Sequence, residues 1–147
     1  MLTSGTSSEI LLIEDSHTDA RLFTRAVKRA DKSIHVTWLE DGDKALEYIN
    51  DLIHNHYAIP GIVVLDIKLG SMKGFEVLGH IRRNPMTEHL PVVMLSSSTQ
   101  QEDIRLAYEL GANSYLSKPA SYASLTSLVH SLVSYWLQTN TSLHNLN

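Results

Sequence analysis

Glu14 and Asp15 follow the apolar run Ile10-Leu11-Leu12-Ile13, and Asp66 follows Ile62-Val63-Val64-Leu65. Ser96 follows Val92-Val93-Met94-Leu95, and Lys118 comes just after Ser114-Tyr115-Leu116. Three carboxylates, a hydroxyl and an ammonium thus share one setting, the polar end of a short apolar run. Clustered carboxylates repel one another unless a cation sits among them. Hard oxygen ligands with room for water suit Mg²⁺. Such an ion would weaken the repulsion between an incoming phosphoryl group and Asp66. A carboxylate can serve as nucleophile in phosphoryl transfer and become an aspartyl phosphate. Lys118 could then pair with one phosphoryl oxygen, and Ser96 could donate a hydrogen bond to another.

Such a set works only if the runs carrying it end on one rim. A short continuous apolar run closed by a turn reads as a buried strand. Ile10–Ile13, Ile62–Leu65, Val92–Leu95 and Ser114–Leu116 read this way, and Ile34-Val36-Trp38 suggests one more strand. Helical spacing fills the intervals: Ala20, Phe23, Val27 and Ala30; Ala45, Leu46, Ile49, Leu52 and Ile53; Phe75, Leu78 and Ile81, stopping before Pro85. Ser16 with Asp19 marks the first helix start. A further helix is expected from about Thr99, with Glu102 placed for a capping box and Gly111 as its stop. The last carries Leu125, Leu128, Leu132, Val133 and Trp136 and is expected to end near Gln138. Five strands alternating with five helices imply an α/β fold, a doubly wound five-stranded parallel sheet with five helices. In such sheets ligands bind beyond the carboxyl ends of the strands. Residues 1–8 read as a mobile leader, 9–138 as one folded domain, and 139–147 as a polar tail.

Taken together, Ile13-Glu14-Asp15-Ser16, Val64-Leu65-Asp66, Gly74-Phe75-Glu76-Val77-Leu78, Val93-Met94-Leu95-Ser96 and Tyr115-Leu116-Ser117-Lys118-Pro119 resemble the CheY-like receiver domain of response regulators. The resemblance runs from about Glu9 to Gln138. It implies Asp66 as phosphoacceptor, Glu14 and Asp15 as the acidic pair that organises Mg²⁺, and Lys68 as the position whose backbone carbonyl reaches the metal. It implies Ser96 and Tyr115 as the switch hydroxyl and aromatic, Lys118 as the family's lysine, and a cis Lys118-Pro119 bond. Asp103-Ile104-Arg105, Ala112-Asn113-Ser114-Tyr115 and Tyr135-Trp136-Leu137 also look like the small phytochrome-associated response regulators. That likeness implies a histidine kinase of the phytochrome type as donor and a homodimer. Five positions depart from the common pattern. Glu14 replaces a frequent Asp, Ser96 a commoner Thr, and Lys73 a frequent Asp, and Lys68 puts a positive side chain at the rim. Gly70 replaces a frequent Pro, which predicts a looser loop after Asp66.

Each residue also has a plainer reading. Asp66 alone could be a helix cap, Glu14 and Asp15 solvated turn residues, Lys118 a surface lysine, and Tyr115 a packing residue with a wetted hydroxyl. Ser97 and Ser98 compete with Ser96 for the hydroxyl role. The eight histidines read mostly as solvated side chains, since His54 and His56 share no helix face; His17, beside Asp15, lies where a partner would approach. Tyr135-Trp136-Leu137 cannot all face inward, which leaves apolar surface for a dimer contact. A phosphohydrolase with an Asp nucleophile, similar to the haloacid dehalogenases, needs a second Asp where Lys68 stands. A nucleotide or flavin binder would need glycine-rich motifs that are missing. The expected protein is therefore not an enzyme, although a phosphorylation-independent binding module stays open. A net charge of -4 without a basic run argues against nucleic acid. With no cysteine, no membrane-length apolar stretch and no secretory pattern, a cytoplasmic protein is expected. No output domain is expected, so readout is expected by binding an effector protein, by dimerisation, or by passing the phosphoryl group to a further phosphotransfer protein.

Overall fold

The computed structural model describes residues 8–55 and 58–143. Most of the leader, His56 and the last four residues of the tail lie outside the described residues. Strands β1 (Glu9–Ile13), β2 (His35–Leu39), β3 (Ile62–Leu65), β6 (Val92–Ser96) and β7 (Ser114–Ser117) form one parallel sheet in the order β2-β1-β3-β6-β7. Helices α1 (His17–Ala30), α2 (Gly42–Asn55), α3 (Gly74–Arg83) and α4 (Gln101–Glu109) make the crossovers, and α5 (Tyr122–Val133) follows the last strand. The expected doubly wound parallel sheet is thus present. Between β3 and α3 the chain adds an antiparallel ribbon, β4 (Lys68–Leu69) against β5 (Met72–Lys73).

The continuous apolar strands follow from burial on both faces. Side chains alternate across a strand, so Leu11, Ile13, Val63, Leu65, Val92 and Met94 pack with Ile49, Val77, Leu78 and Ile81 of α2 and α3. Ile10, Leu12, Ile62, Val64, Val93 and Leu95 pack on the other face with Phe23, Val27, Val129 and Leu132 of α1 and α5. The central strands therefore read as apolar throughout, while β2 lies at the edge and leaves Trp38 exposed. Ile34, expected in β2, is buried just ahead of it.

Ser16 caps α1 by accepting the Asp19 N–H at 3.2 Å. The box expected at Thr99 and Glu102 is not made: α4 begins at Gln101 behind Gln100, which makes no side-chain cap. Ser98 is the residue that organises this turn, its hydroxyl donating to Asp103 at 2.6 Å and accepting from the Gln100 N–H at 3.3 Å. The segment after Asp66 is not a loose loop either. Gly70, at φ +72, turns the β4–β5 ribbon, a left-handed conformation that a glycine adopts without strain. The α-helical part of the last helix ends at Val133, and Ser134–Thr139 continues as a wider π-helical turn. No peptide bond among the described residues is cis, so Lys118–Pro119 is trans, the isomer an X–Pro bond favours by about 0.5–1 kcal/mol. No helix among the described residues is long and apolar enough to cross a membrane.

Candidate functional site

The strand order sets the site. The chain leaves β1 toward one edge, returns to β3 on the other side of β1, and then continues outward, so a crevice opens beyond the carboxyl ends of β1 and β3. Backbone bonds carry the ladder one residue past each strand. The Asp66 N–H donates to the Ile13 carbonyl at 3.1 Å, that of Glu14 to Leu39 at 3.1 Å, and that of Lys118 to Ser96 at 2.9 Å. Glu14, Asp66 and Lys118 are thereby held on one rim by main-chain geometry.

Lys118 Nζ lies 2.8 Å from Glu14 Oε1, 2.8 Å from Asp66 Oδ2 and 2.8 Å from Asp19 Oδ2. Glu14 and Asp66 are buried, at 3% and 6% exposure, and Asp15 is exposed beside them. The other oxygen of Asp66 accepts the Ile67 N–H at 2.7 Å, and the other oxygen of Glu14 accepts the Ser16 N–H at 3.1 Å. Burial pushes the Glu14 carboxyl up to about 7, against the hydrogen bonds from Lys118 and the Ser16 N–H that favour its charged form. Burial also pulls on the Lys118 ammonium, but its bonds to Asp19, Asp66 and Glu14 outweigh that and hold it above its usual value.

Oxygens of Glu14, Asp15 and Asp66 all lie within 4.8 Å of one another, a donor set that fits a hard divalent cation. Lys68, two residues on from Asp66, opens the ribbon with its side chain exposed. Gly74 locks that ribbon to the site, because a Cβ there would fall 2.0 Å from the Asp66 carbonyl oxygen. Ser96 is buried at the end of β6, and its Oγ accepts the Ser98 N–H at 3.2 Å. The Tyr115 hydroxyl donates to the Ser98 carbonyl at 2.8 Å. Ser96 and Tyr115 are therefore joined through one residue, Ser98.

Every residue expected at the rim from its place after an apolar run is found there, and Ser96 is the serine that ends the strand. Asp19 was legible only as part of a helix start, yet its carboxylate joins Glu14 and Asp66 on Lys118. Its place in the first turn of α1, three residues after the Ser16 cap that follows Glu14 and Asp15, is the signal that could have marked it. Trp38 was legible only as a strand residue, but its indole N–H donates to the Glu14 carbonyl at 2.8 Å. His17 packs edge-on against Trp38 at 4.9 Å and meets Glu40 at 3.1 Å. His80, half-buried and 2.9 Å from Asn50, departs from the solvated reading of the histidines.

The profile of the response regulator receiver domain matches residues 10–130. The chain belongs to that family. Its curated relatives include the probable methanogenesis regulatory protein FilR2 of Methanothrix harundinacea, 39% identical over 90% of this chain and 86% of that protein. They also include response regulator Rcp1 of Synechocystis, 34% identical over 90% of both. Among solved structures, the phosphorylated cyanobacterial phytochrome response regulator RcpA superposes with a TM-score of 0.85 at 32% identity, covering 93% of this receiver and 99% of that chain. The Mn²⁺-bound form of Rcp1 superposes with a TM-score of 0.81 at 33% identity, covering 91% and 97%. This receiver is thus related to phytochrome-associated regulators, and accepting a phosphoryl group is the general role of its family.

Proposed function

We propose that this receiver is a phosphorylation switch of a two-component phosphorelay, with Asp66 as the acceptor. The observation that carries this reading is the convergence of buried Glu14 and Asp66 on Lys118, with Asp15 alongside. A structural cap would not need that company. Glu14, Asp15 and Asp66, with the Lys68 carbonyl, would hold Mg²⁺, which supplies positive charge that offsets repulsion between the donor and the carboxylates. An Asp66 oxygen attacks phosphorus, and the bond to the donor's imidazole nitrogen breaks with its electron pair leaving on the nitrogen. Lys118 then exchanges a carboxylate for a phosphoryl oxygen. Ser96 turns its hydroxyl toward the new charge, which disturbs Ser98 and with it Tyr115. Tyr115 passes the change to the surface around α4, β7 and α5 by shifting a two-state equilibrium.

The likeness to RcpA and Rcp1 supports a phytochrome-type histidine kinase as donor. Its readout is a changed surface offered to an effector, to a phosphotransfer protein or to a second copy in the cytoplasm. The apolar patch at the end of the last helix supports the homodimer: Tyr135 is 52% exposed and lies edge-on to Trp136 at 4.9 Å.

The test is intact mass after incubation with acetyl phosphate. One phosphoryl adduct is expected in the parent with Mg²⁺, and none in Asp66→Asn or without the ion. A parent that gains no adduct from acetyl phosphate or from a panel of kinases would leave a phosphorylation-independent binding module as the better account.

A further inference from the structure

Helix α1 carries a line of cations on the side that meets β2. Arg21, Arg25 and Lys28 fall at helical spacing, and His17 stands one turn before Arg21. Together with Trp38 they line a groove of about 380 Å³. Strand β2 is an edge of the sheet, so no further strand of that sheet covers this side.

The indole of Trp38 is fixed in the groove. Trp38 stands opposite Leu12 in the β1–β2 register, and Leu12 packs toward α1 and α5, so the indole lies on the α1 side of the sheet. Its N–H donates to the Glu14 carbonyl at 2.8 Å, and the His17 ring meets it edge-on at 4.9 Å. The residue is nonetheless 38% exposed. An aromatic surface left in water and held in one orientation is a ready stacking platform.

The cations divide into engaged and free. The Lys28 ammonium donates to the Ile34 carbonyl. His17 lies 3.1 Å from Glu40, which also takes Lys44 at 2.5 Å. Arg21 and Arg25 are exposed, and among the described residues neither guanidinium has an ion-pair partner. Asp19, the acidic residue nearest to them along α1, is engaged by Lys118 at 2.8 Å. Like charges four residues apart on a helix repel, so this pair is unfavourable until an anion arrives. Guanidinium forks bind phosphate in bidentate fashion, and a short polyphosphate chain reaches two forks one helical turn apart. The net charge of -4, with no basic run, confines the attraction to this groove and gives a nucleic-acid polymer no track to follow.

We propose that the groove between α1 and β2 binds a free nucleoside di- or triphosphate, its base stacked on Trp38 and its phosphates on Arg21 and Arg25. The ligand is held without any bond being made or broken. The inference does not depend on Asp66 being the phosphoacceptor.

The experiment titrates metal-free protein with ATP, with tripolyphosphate and with adenosine. It follows the indole resonance of Trp38 and the amide resonances of Arg21 and Arg25. ATP is expected to bind about tenfold more tightly than either fragment, the advantage that one stacked base gives. In the variant carrying both Arg21→Gln and Arg25→Gln, ATP binding should weaken about tenfold and lose most of its salt dependence. In Trp38→Leu, ATP and tripolyphosphate should bind alike. Equal binding of ATP and tripolyphosphate by the parent overturns the inference and leaves a plain anion patch. So does a preference for ATP that survives in Trp38→Leu, or ATP binding unchanged in the double arginine variant. A polyglutamate peptide that moves these resonances where ATP does not overturns it in favour of an acidic protein segment.

Discussion

Four carboxylates crowd this rim, and Lys118 answers three of them at once. The contributions differ. Glu14 and Asp66 have little water to fall back on, whereas the Asp19 side chain is 44% exposed and its pair is screened. Removing the ammonium leaves buried charge without a partner, which typically costs about 3–5 kcal/mol. Lys118→Met is therefore expected to destabilise the metal-free protein by about 3 kcal/mol in urea unfolding. Mg²⁺ should recover part of that loss, since a ligand at 100 times its Kd stabilises the folded state by about 2.7 kcal/mol. A loss below about 1 kcal/mol, the range of an exposed pair, would mean that the carboxylates do not depend on this cation.

At the scale of elements, the ribbon and the start of α3 decide how Asp66 is presented. Gly74 is needed for space, since the Asp66 carbonyl occupies the place of a Cβ. Gly74→Ala must push the ribbon or Asp66 aside, and overpacking of this kind costs about 1–3 kcal/mol. The expected outcome is a loss near the upper end in chemical unfolding, together with a slower gain of phosphoryl adduct. A variant with parental stability would show that the β3–α3 junction gives way easily. By contrast α4 buries only Ala107 and has no side-chain cap, so the element next to the Ser96–Thr99 turn is the one held least firmly by its own residues. That suits a segment asked to move when Ser96 does.

The whole molecule is tied at the end opposite the site by Arg82. Its guanidinium donates to the carbonyls of Gly111 at 2.9 Å, Glu88 at 3.0 Å and Leu90 at 2.7 Å, and to the Asn113 side chain at 2.9 Å. One side chain on α3 thus fastens the approach to β6 and the turn into β7. Arg82→Met keeps the aliphatic stem and leaves these acceptors without their donor. It is expected to lower stability by about 3 kcal/mol, since hydrogen bonds to charged groups are worth about 1.5–3 kcal/mol and the acceptors here are partly buried. Thermal unfolding checks it, and a change within about 0.5 kcal/mol would place Arg82 with ordinary surface residues. The same scale holds the oligomer question. Sedimentation at tens of micromolar is expected to show a dimer that Tyr135→Ser weakens; a parent monomeric there would remove the dimer from the proposed mechanism.

The sequence by itself determined the five strands of the parallel sheet, the helices and the residues at their polar ends. These depend on local rules: continuous apolar runs mark doubly covered strands, helical spacing marks the crossovers, and a right-handed crossover topology leaves few ways to arrange them. Glu14, Asp15, Asp66, Ser96 and Lys118 were legible because each follows such a run. What followed from three-dimensional proximity was not legible. Asp19 reaches Lys118 across 99 residues of chain, and Trp38 reaches Glu14 only because β2 pairs with β1. The ribbon at Lys68–Lys73 exists because Leu69 finds a core to enter and Gly74 an oxygen to approach, and neither is visible in a two-residue strand. Ser98 took over the turn before α4 from the expected Thr99–Glu102 box, because Asp103 and Tyr115 lie within reach of its hydroxyl and carbonyl. Periodicity specifies which residues are buried or exposed along one element. Which polar groups then meet is decided by packing between elements, where a polar group left buried without a partner costs about 1–3 kcal/mol and the chain settles where its partners are.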